Sequence, residues 1–491
     1  MRIIQADASS RPPRYGVPMQ SHQTLIILGA GGDLTKRLLI PGLAGVIARD
    51  PRLHLEIVGA GHGESDDEAW RELVRDALDG GLDGLAAVAD DREARAAIGR
   101  TVASASWRTV DATDRAALRD LVASAEHPAI VYFALPPEIT VRAIEALKPG
   151  DLPAGTRLAL EKPFGHDTDS ARHLNALLSE RVDEKQVFRV DHFLGKSTVL
   201  NLLGLRFANR LFESVWNRDN VAAIDIVYDE TLALEGRAGY YDSAGALVDM
   251  IQSHLLLVAG FMTMEAPAAL DADDLRGALV QALRAMRPLH DDPARASRRA
   301  RYAEGELDGE SVTAYRDEEG VDPDAGTETL AEFVVTVENA RWAGVPITLR
   351  SGKAVGAPRK DAVLTLRPVA HLPRGFHGAG EAPRITVSLT PEHLTVDLDL
   401  NGPGDPLELD RVQLDTDFGA GELTAYGEVL DGILAGDPLL SVPADAAELC
   451  WALVDPVLAA WRKGDAPLDE YPAGSSGPEA WSKPLAAPAR G

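Results

Sequence analysis

The chain has 491 residues, of which 45% are hydrophobic and 25% are charged, a composition typical of a globular protein of two or three domains. Its 49 lysines and arginines against 76 aspartates and glutamates give a formal net charge of −27, so an average surface repels nucleic acid and anionic membranes, and neither is expected as a partner. The single cysteine, Cys450, excludes an internal disulfide and a cysteine-based zinc site and fits a reducing cytoplasm.

The first half of the chain predicts an α/β domain. Residues 1–23 are polar, lack the apolar segment of a secretory signal and predict a flexible N-terminal tail. Over residues 24–190, short apolar runs alternate with helical patterns, and we predict buried strands at Thr24–Leu28, Leu55–Val58, Ala129–Leu135 and Leu158–Leu160. Strands that alternate with helices indicate a doubly wound, Rossmann-type parallel sheet.

The second half, residues 191–491, predicts an α+β domain. Its most apolar stretch, Leu247–Met264, contains polar residues that would be costly in a bilayer, and therefore predicts a buried helix. Period-2 runs then predict a large, mostly antiparallel sheet with strands at Glu332–Val337, Val363–Leu366, Ile385–Leu389 and Leu394–Leu400. Two further helical patterns, Leu423–Leu434 and Asp445–Trp461, follow this sheet.

A glycine-rich turn follows the first predicted strand. It consists of Gly29, Ala30, Gly31, Gly32, Asp33 and Leu34, and a helical pattern comes next. Such a turn lets backbone N–H groups and a helix N-terminus approach a pyrophosphate. Because Leu34 stands where the last glycine of G-x-G-x-x-G is expected, the turn alone fits a tight strand-to-helix connection equally well.

Residues 29–37, which read Gly-x-x-Gly-Asp-Leu-x-Lys-Arg, resemble the opening signature of the glucose-6-phosphate dehydrogenase family. Further family segments follow in the same order: Ala134–Pro137, Glu161–Gly165, Arg189–Lys196, Trp216–Asn220, Gly239–Asp242, Asp249–Leu255, Gly344–Pro346 and Arg350–Lys353. The resemblance extends from about Thr24 to Ala480. It implies a dinucleotide-binding domain at residues 24–190 and a substrate-binding and dimerisation domain at residues 191–491.

The activity that this resemblance implies is oxidation of D-glucose 6-phosphate at C1 to 6-phospho-D-glucono-1,5-lactone, with hydride transfer to NADP or NAD. This reaction is the first step of the oxidative pentose phosphate pathway. The resemblance also implies a homodimer or homotetramer formed through the sheet of the second domain. It implies no metal site.

The resemblance assigns the acid–base chemistry to two residues. It makes His254 the general base for the anomeric hydroxyl and Asp191 the carboxylate that holds the other ring nitrogen of His254. A neutral imidazole with a pKa of about 6.5 suits this task. Without the resemblance, a histidine in an apolar helix is more readily a structural residue.

A cluster of donors suits a phosphate group. Arg189, His192 and Lys196 gather positive or donor groups in an otherwise acidic chain, although the segment alone also fits a solvated helix end. The resemblance implies that His192 and Lys196 hold the sugar phosphate. Phe193 stands where the family has tyrosine, and the lost hydroxyl donor should cost about 1.5–3 kcal/mol, or roughly ten- to a hundredfold in affinity.

The resemblance supplies the remaining binding residues. For the substrate they are Lys162, Glu230, Asp249, Lys353 and Arg359, the last of which assumes a one-residue insertion because Pro358 stands at the unshifted position. For the cofactor they are Gly29, Gly31, Gly32, Asp33, Leu34, His62, Pro136 and Lys162. Lys162 is expected to touch both sugar and cofactor, and Pro163 after it is expected to be cis.

Two departures weaken the expected contacts with the 2′-phosphate of NADP. His62 replaces the family's arginine after the second strand, and Gly31 replaces a serine or threonine. No acidic residue ends that strand to hold the ribose diol of NAD. NADP is therefore expected as the family's usual cofactor, with NAD or dual use as the alternative.

Two other functions stay open. Phe193, together with Val248 where an arginine is usual, is compatible with a dehydrogenase of a different sugar, of the glucose-fructose oxidoreductase-like type. A non-catalytic paralogue that binds a partner or senses a nucleotide is the other.

Overall fold

The computed structural model describes residues 22–63, 65–85, 91–234, 238–378, 380, 382–417 and 421–486. Its strands are β1 (His22–Leu28), β2 (His54–Gly61), β3 (Ser106–Thr109), β4 (Ala129–Phe133), β5 (Arg157–Glu161), β6 (Val187–Val190), β7 (Val221–Asp229), β8 (Met286–Pro288), β9 (Ser297–Ala303), β10 (Gly305–Leu307), β11 (Glu310–Val312), β12 (Leu330–Val337), β13 (Ile347–Gly352), β14 (Lys360–Leu366), β15 (Arg384–Leu389), β16 (Glu392–Asn401), β17 (Leu409–Asp417) and β18 (Leu468–Pro472). Its α-helices are α1 (Ile40–Arg49), α2 (Asp67–Asp83), α3 (Arg92–Ser104), α4 (Arg115–Ala123), α5 (Pro137–Ala146), α6 (Thr168–Arg181), α7 (Ser197–Phe207), α8 (Arg210–Val215), α9 (Ala238–Ala246), α10 (Leu256–Thr263), α11 (Ala272–Ala285), α12 (Ala425–Ala435) and α13 (Ala444–Lys463). Thr35–Leu39 and Leu247–Leu255 are π-helical, and short 3-10 helices lie at Glu184–Gln186, His192–Gly195, Leu289–Asp291, Tyr315–Asp317, Pro438–Leu440 and Glu479–Ser482.

The chain divides into two compact units. Within the described residues, unit 1 consists of the chain up to Lys196 together with Pro267–Gly277 and Gly421–Glu448, and unit 2 consists of Ser197–Ala266, Ala278–Ala420 and Leu449 onward. The predicted boundary after residue 190 lies close to the first of these divisions. The predicted tail overlaps β1 by two residues, 22 and 23, and its other residues, 1–21, lie outside the described part of the chain.

The sequence predicts that Gly421–Glu448 belongs to the second domain, but the structure places this segment in unit 1. Its contacts explain why. Gly42 of α1 and Gly427 of α12 pack closely, since a Cβ atom on Gly42 would lie 3.2 Å from the Gly427 nitrogen. The Arg157 guanidinium at the start of β5 donates to the carbonyl oxygens of Ile433 (2.6 Å) and Leu434 (2.9 Å) at the end of α12. These contacts join residues far apart in sequence, so no local pattern reveals them.

The sheet of unit 1 confirms the predicted Rossmann-type architecture. Its strand order is β3-β2-β1-β4-β5-β6, and all its neighbouring pairs are parallel. Leu25–Leu28 is buried throughout because helices cover both faces of a doubly wound sheet, which accounts for its unbroken apolar run. No sequence pattern marked β3 or β6, because each strand has only four residues.

Aspartates are the N-cap residues of four helices in unit 1. The N-caps Asp66, Asp91, Asp114 and Asp167 accept hydrogen bonds from backbone N–H groups in the first turns of α2, α3, α4 and α6. A carboxylate at this position satisfies donors that have no partner within the helix and interacts favourably with the helix dipole. Part of the excess negative charge of the chain therefore has a structural role.

Unit 2 contains the predicted large, mostly antiparallel sheet. Its strand order is β17-β16-β15-β14-β7-β13-β12-β9-β18, with β8 paired to β12. The pairs β7–β13 and β9–β18 are parallel. The predicted runs all lie within described strands, and β12 is buried along its whole length, as its position inside the sheet requires.

The apolar stretch of unit 2 is a buried helix, as predicted. Helix α9, the π-helical stretch Leu247–Leu255 and α10 follow one another, and the left-handed Gly245 (φ 65) interrupts them. Among the described residues, Ala238–Thr263 is the helix long and apolar enough to cross a membrane by length and composition. Because 83% of its apolar window is buried inside the protein, it has the character of a core helix.

We predict that Gly29→Ala destabilises unit 1. Gly29 has φ 82, and a Cβ atom there would lie 2.2 Å from the backbone oxygen of Ala134, which cannot move without disturbing the sheet. The left-handed conformation alone costs an alanine about 1–2 kcal/mol, and the steric overlap adds to this. Urea unfolding followed by the fluorescence of Trp70 and Trp107, both in the core of this unit, measures the loss.

Gly31→Ala is the matched control, since no atom lies within 4 Å of a Cβ at that position. Equal stability of the two variants would contradict the role of Gly29.

Candidate active site

The glycine-rich turn lies at the carboxyl end of the central strand β1. The Gly29 N–H donates to the Ala60 carbonyl (2.8 Å), and the Gly32 N–H donates back to the Gly29 carbonyl (3.0 Å). These bonds fold the chain tightly, while Gly31 and Gly32 remain exposed with their backbones accessible. No side chain fills the space at Gly31, so this turn can accommodate the pyrophosphate of a dinucleotide.

Pro136 borders the same edge of the sheet. It is the residue before α5, which follows β4, the neighbour of β1 on the side opposite β2. The connections from β1 and β4 therefore leave the sheet in opposite directions, which is where doubly wound sheets bind their ligands. The predicted cofactor residues Gly29, Gly31, Gly32, Asp33, Leu34 and Pro136 all lie in these two connections.

A carboxylate lies beside His62. His62 follows β2, and its Nε2 atom is 3.5 Å from Oδ1 of Asp111, which follows β3. The hydroxyl (2.7 Å) and backbone N–H (2.8 Å) of Thr113 donate to Asp111 and lower its pKa, and the nearby His62 and Arg142 act in the same direction. Sequence reasoning missed Asp111, because it follows a strand too short to be recognised.

The segment after β5 carries Lys162. This residue is half-buried, and its peptide bond to Pro163 is cis, as predicted. Glu161, which precedes it, accepts a hydrogen bond from the Tyr132 hydroxyl of β4 (2.5 Å) and another from the Tyr426 hydroxyl of α12. Burial raises the pKa of Glu161 to about 7; the neighbouring Asp191 acts in the same direction, whereas Tyr132 and Lys162 oppose it.

The segment after β6 carries the predicted phosphate residues. Asp191 is 1% exposed and accepts a hydrogen bond from the Phe193 N–H (3.0 Å), which begins the 3-10 helix His192–Gly195. The Phe193 ring is buried, and the Lys196 ammonium lies 4.8 Å from its centroid. The residue that replaces the family's tyrosine thus provides a face on which Lys196 rests.

Helix α12 completes this side of unit 1. The Tyr426 ring stacks on the His192 imidazole with centroids 5.3 Å apart and an interplanar angle of 13°. Tyr426 therefore connects the segment after β5, through Glu161, with the segment after β6, through His192. No sequence signal points to Tyr426. Glu161 lies within the family segment Glu161–Gly165, but the resemblance assigns it no role.

Unit 2 places Asp249 and His254 on one π-helical stretch, Leu247–Leu255. His254 is 1% exposed, whereas Asp249 is half-buried. A π-helical turn inside a longer helix is rare and is frequently found at functional sites. Asp191 belongs to unit 1 and His254 to unit 2, and their pairing stays a prediction.

Glu230 and Lys353 lie together in unit 2, and their roles as substrate ligands stay predictions. They directly follow the parallel strands β7 and β13, and the Lys353 ammonium donates to the Glu230 carboxylate at 2.8 Å. The ammonium also lies 5.1 Å from the centroid of the Tyr241 ring. Arg359 has a separate partner, since its guanidinium donates to Asp361 at 2.7 Å.

Family models and individual proteins match the chain over both units. The model described as the glucose-6-phosphate dehydrogenase NAD binding domain matches residues 26–201, and the model of the C-terminal domain matches residues 203–490. The glucose-6-phosphate 1-dehydrogenase of Treponema pallidum is 36% identical over 482 residues, covering 93% of this chain and 92% of the relative. That of Gluconobacter oxydans is 37% identical over 480 residues, covering 94% and 95%.

Solved structures agree with these matches. A glucose-6-phosphate dehydrogenase in complex with its substrate glucose-6-phosphate superposes with a TM-score of 0.83 at 28% identity, covering 94% of this chain and 96% of that one. The glucose-6-phosphate 1-dehydrogenase of Mycobacterium avium superposes with a TM-score of 0.78 at 31% identity and the same coverage.

We predict that Glu161→Gln changes how stability depends on pH. Because burial raises the pKa of Glu161 from 4.5 to about 7, the unfolded chain loses this proton first as the pH rises. Between these values the native protein binds more protons, so its free energy of unfolding decreases with rising pH. The glutamine variant lacks this component, which we expect to be on the order of 2 kcal/mol after allowing for partial exposure.

Urea unfolding at pH 5 and pH 8 measures the difference, and the exposed Glu126→Gln serves as control. The same pH dependence in wild type and Glu161→Gln would show that Glu161 does not titrate in this range.

Proposed function

This chain belongs to the glucose-6-phosphate dehydrogenase family, and we infer that its activity, oxidation of glucose 6-phosphate with a nicotinamide cofactor, runs through the residues described above. The observation that carries this function is the match of both family models together with retention of every predicted catalytic residue. The matches favour this function over a dehydrogenase of another sugar and over a non-catalytic paralogue.

We propose that His254 is the general base. Its neutral imidazole takes the proton of the C1 hydroxyl while the hydride leaves C1, so that the C1–O bond becomes a carbonyl. The nicotinamide, when bound, accepts the hydride. The buried carboxylate of Asp191 has the role of stabilising the imidazolium, as in other acid–base pairs.

The sugar phosphate is proposed to bind at the segment after β6. His192 and Lys196 supply donors there, and both rings next to them, Phe193 and Tyr426, limit their movement. Charge-assisted hydrogen bonds from such groups are the strong contacts available to a phosphate. Lys162, Glu230, Asp249, Lys353 and Arg359 are proposed to contact the sugar hydroxyls or the phosphate.

The cofactor is a nicotinamide dinucleotide, and we propose NADP with NAD as a competing cofactor. Gly31 and Gly32 leave room for the pyrophosphate at the carboxyl end of β1. In this fold the adenosine ribose is read near the end of the second strand, which here is followed by His62. Asp111 lies 3.5 Å from His62 and its negative charge opposes a 2′-phosphate, so discrimination in favour of NADP should be weak.

We further propose a cytoplasmic homodimer or homotetramer that supplies the first step of the oxidative pentose phosphate pathway. The single cysteine supports a reducing compartment. The strands β16 and β17 expose leucines at one end of the sheet of unit 2, which supports self-association there: Leu398, Leu400 and Leu414.

We predict that His254→Asn lowers kcat for glucose 6-phosphate by about 10²–10⁴-fold, because an amide cannot take the proton in the transition state. KM should change little, since the proton is transferred only after binding. Steady-state assays with NADP and with NAD measure both constants. The exposed His166→Asn is the control and should keep wild-type values. Full activity of His254→Asn would exclude His254 as the base.

We predict that His62→Arg raises the ratio of kcat/KM for NADP to that for NAD. A permanently charged guanidinium would donate to the 2′-phosphate, and one such bond contributes about 1.5–3 kcal/mol, or about ten- to a hundredfold. Asp111→Asn should raise the ratio in the same direction but less, because it removes a repulsion and adds no contact. An unchanged ratio in both variants would place the 2′-phosphate away from His62.

A further inference from the structure

A buried carboxylate lies at the beginning of the helix that carries His254. Glu328 is 5% exposed, and its Oε1 atom accepts a hydrogen bond from the Leu247 N–H at 2.9 Å. The backbone oxygen of Glu328 accepts a second bond, from the Ala246 N–H at 3.2 Å. All these residues belong to unit 2.

The helix needs an acceptor at this position. The first N–H groups of a helix have no partner within it, and here they are buried, so water cannot supply the missing acceptor. A carboxylate satisfies them and is favoured by the positive end of the helix dipole. Glu328 therefore acts as an N-cap that comes from a distant part of the chain.

Gly245 makes this contact possible. It has φ 65, and a Cβ atom at this position would lie 2.3 Å from Oε1 and 2.7 Å from Oε2 of Glu328. Any other residue would both strain the backbone and displace the carboxylate. The turn between α9 and the π-helical stretch is thus shaped around the side chain of Glu328.

The segment that contains Glu328 also forms hydrogen bonds with Lys353, a proposed substrate-binding residue. The Lys353 N–H donates to the carbonyl of Thr329 at 2.8 Å, and the Tyr471 hydroxyl bonds both the Lys353 carbonyl (2.6 Å) and the Thr329 hydroxyl (3.0 Å). Residues 328 and 329 therefore lie between the helix of His254 and the strand end of Lys353. The segment that carries the proposed base, His254, and the proposed substrate-binding residue, Lys353, are therefore both hydrogen-bonded to residues 328 and 329.

We propose that Glu328 is a positioning residue of the active site, which holds the π-helical stretch with Asp249 and His254 in register with Lys353. This role rests on the proposed function of His254 as the base. The charge state of the carboxylate matters, since burial raises the pKa of Glu328 to about 7, while bonds from Leu247 and its own N–H, followed by Arg299, oppose this rise.

The test compares Glu328→Ala and Glu328→Gln with wild type. Glu328→Ala removes the acceptor, and displacement of the base by about 1 Å should lower kcat by about a hundredfold. Glu328→Gln keeps a carbonyl acceptor for Leu247, so it should recover most of this loss and fall short of wild type by about tenfold or less. KM for glucose 6-phosphate should change less than kcat in both variants.

The matched control is Glu332→Gln. Glu332 is also 5% exposed and lies on the adjoining strand β12, but it pairs with Arg298 at 2.8 Å. This variant should lose stability and keep kcat. A decrease of kcat in Glu332→Gln equal to that in Glu328→Gln, or wild-type kcat in both Glu328 variants, would overturn the proposal.

A second readout is independent of turnover. The NMR resonances of the His254 imidazole should shift in Glu328→Gln and not in Glu332→Gln, and circular dichroism checks that each variant is folded. If Glu328→Ala does not fold, the nearly isosteric Glu328→Gln carries the test alone. If the His254 resonances shift in Glu328→Gln but the wild-type protein does not oxidise glucose 6-phosphate, the proposed function is refuted and the positioning role is not. Unshifted resonances would refute that role.

Discussion

Parallel pairing of neighbouring strands is the constraint on which the candidate site depends. Parallel strands end at the same edge of their sheet, so whatever residues follow them are brought together. In unit 1 this applies to the glycine turn after β1, His62 after β2, Lys162 after β5 and Asp191 after β6. In unit 2 the same rule applies to β7 and β13, a parallel pair within a mostly antiparallel sheet, which place Glu230 and Lys353 side by side.

Buried and half-buried carboxylates hold the segments of the candidate site in place. Burying a charge is costly unless hydrogen bonds compensate for the lost water, and each carboxylate here accepts such bonds. Asp191 accepts from a backbone N–H, Glu161 from two tyrosine hydroxyls, and Glu328 from the first turn of a helix. Burial raises the pKa of both Glu161 and Glu328 to about 7 against the opposing effect of these hydrogen bonds, so we expect their ionisation to be coupled to the structure around them.

Unit 1 is built from three separate segments of the chain, and the last of them contributes to the site. Helix α12 follows the sheet of unit 2 in sequence but packs on α1 and β5, and it brings Tyr426 to Glu161 and His192. A residue from the last quarter of the chain thereby supports groups that belong to the dinucleotide-binding half. The side chains that hold the predicted residues in place are thus drawn from distant segments, whereas the predicted residues themselves cluster in short motifs.

The sequence by itself determined the type of both sheets, four strands in each, the buried helix of His254 and the motif residues, because these depend on local periodicity and on residues within a few positions of each other. It left out β3 and β6, which are too short to show a period, and with β3 it left out Asp111. In unit 2 the strands that it left out include β7 and β13, the parallel pair that Glu230 and Lys353 follow. Only the tertiary structure revealed Tyr426 beside His192 and Glu328 at the beginning of the helix of His254. Their roles arise from contacts between residues far apart in the chain, and a buried glutamate or tyrosine has the same local pattern whether or not it supports an active site.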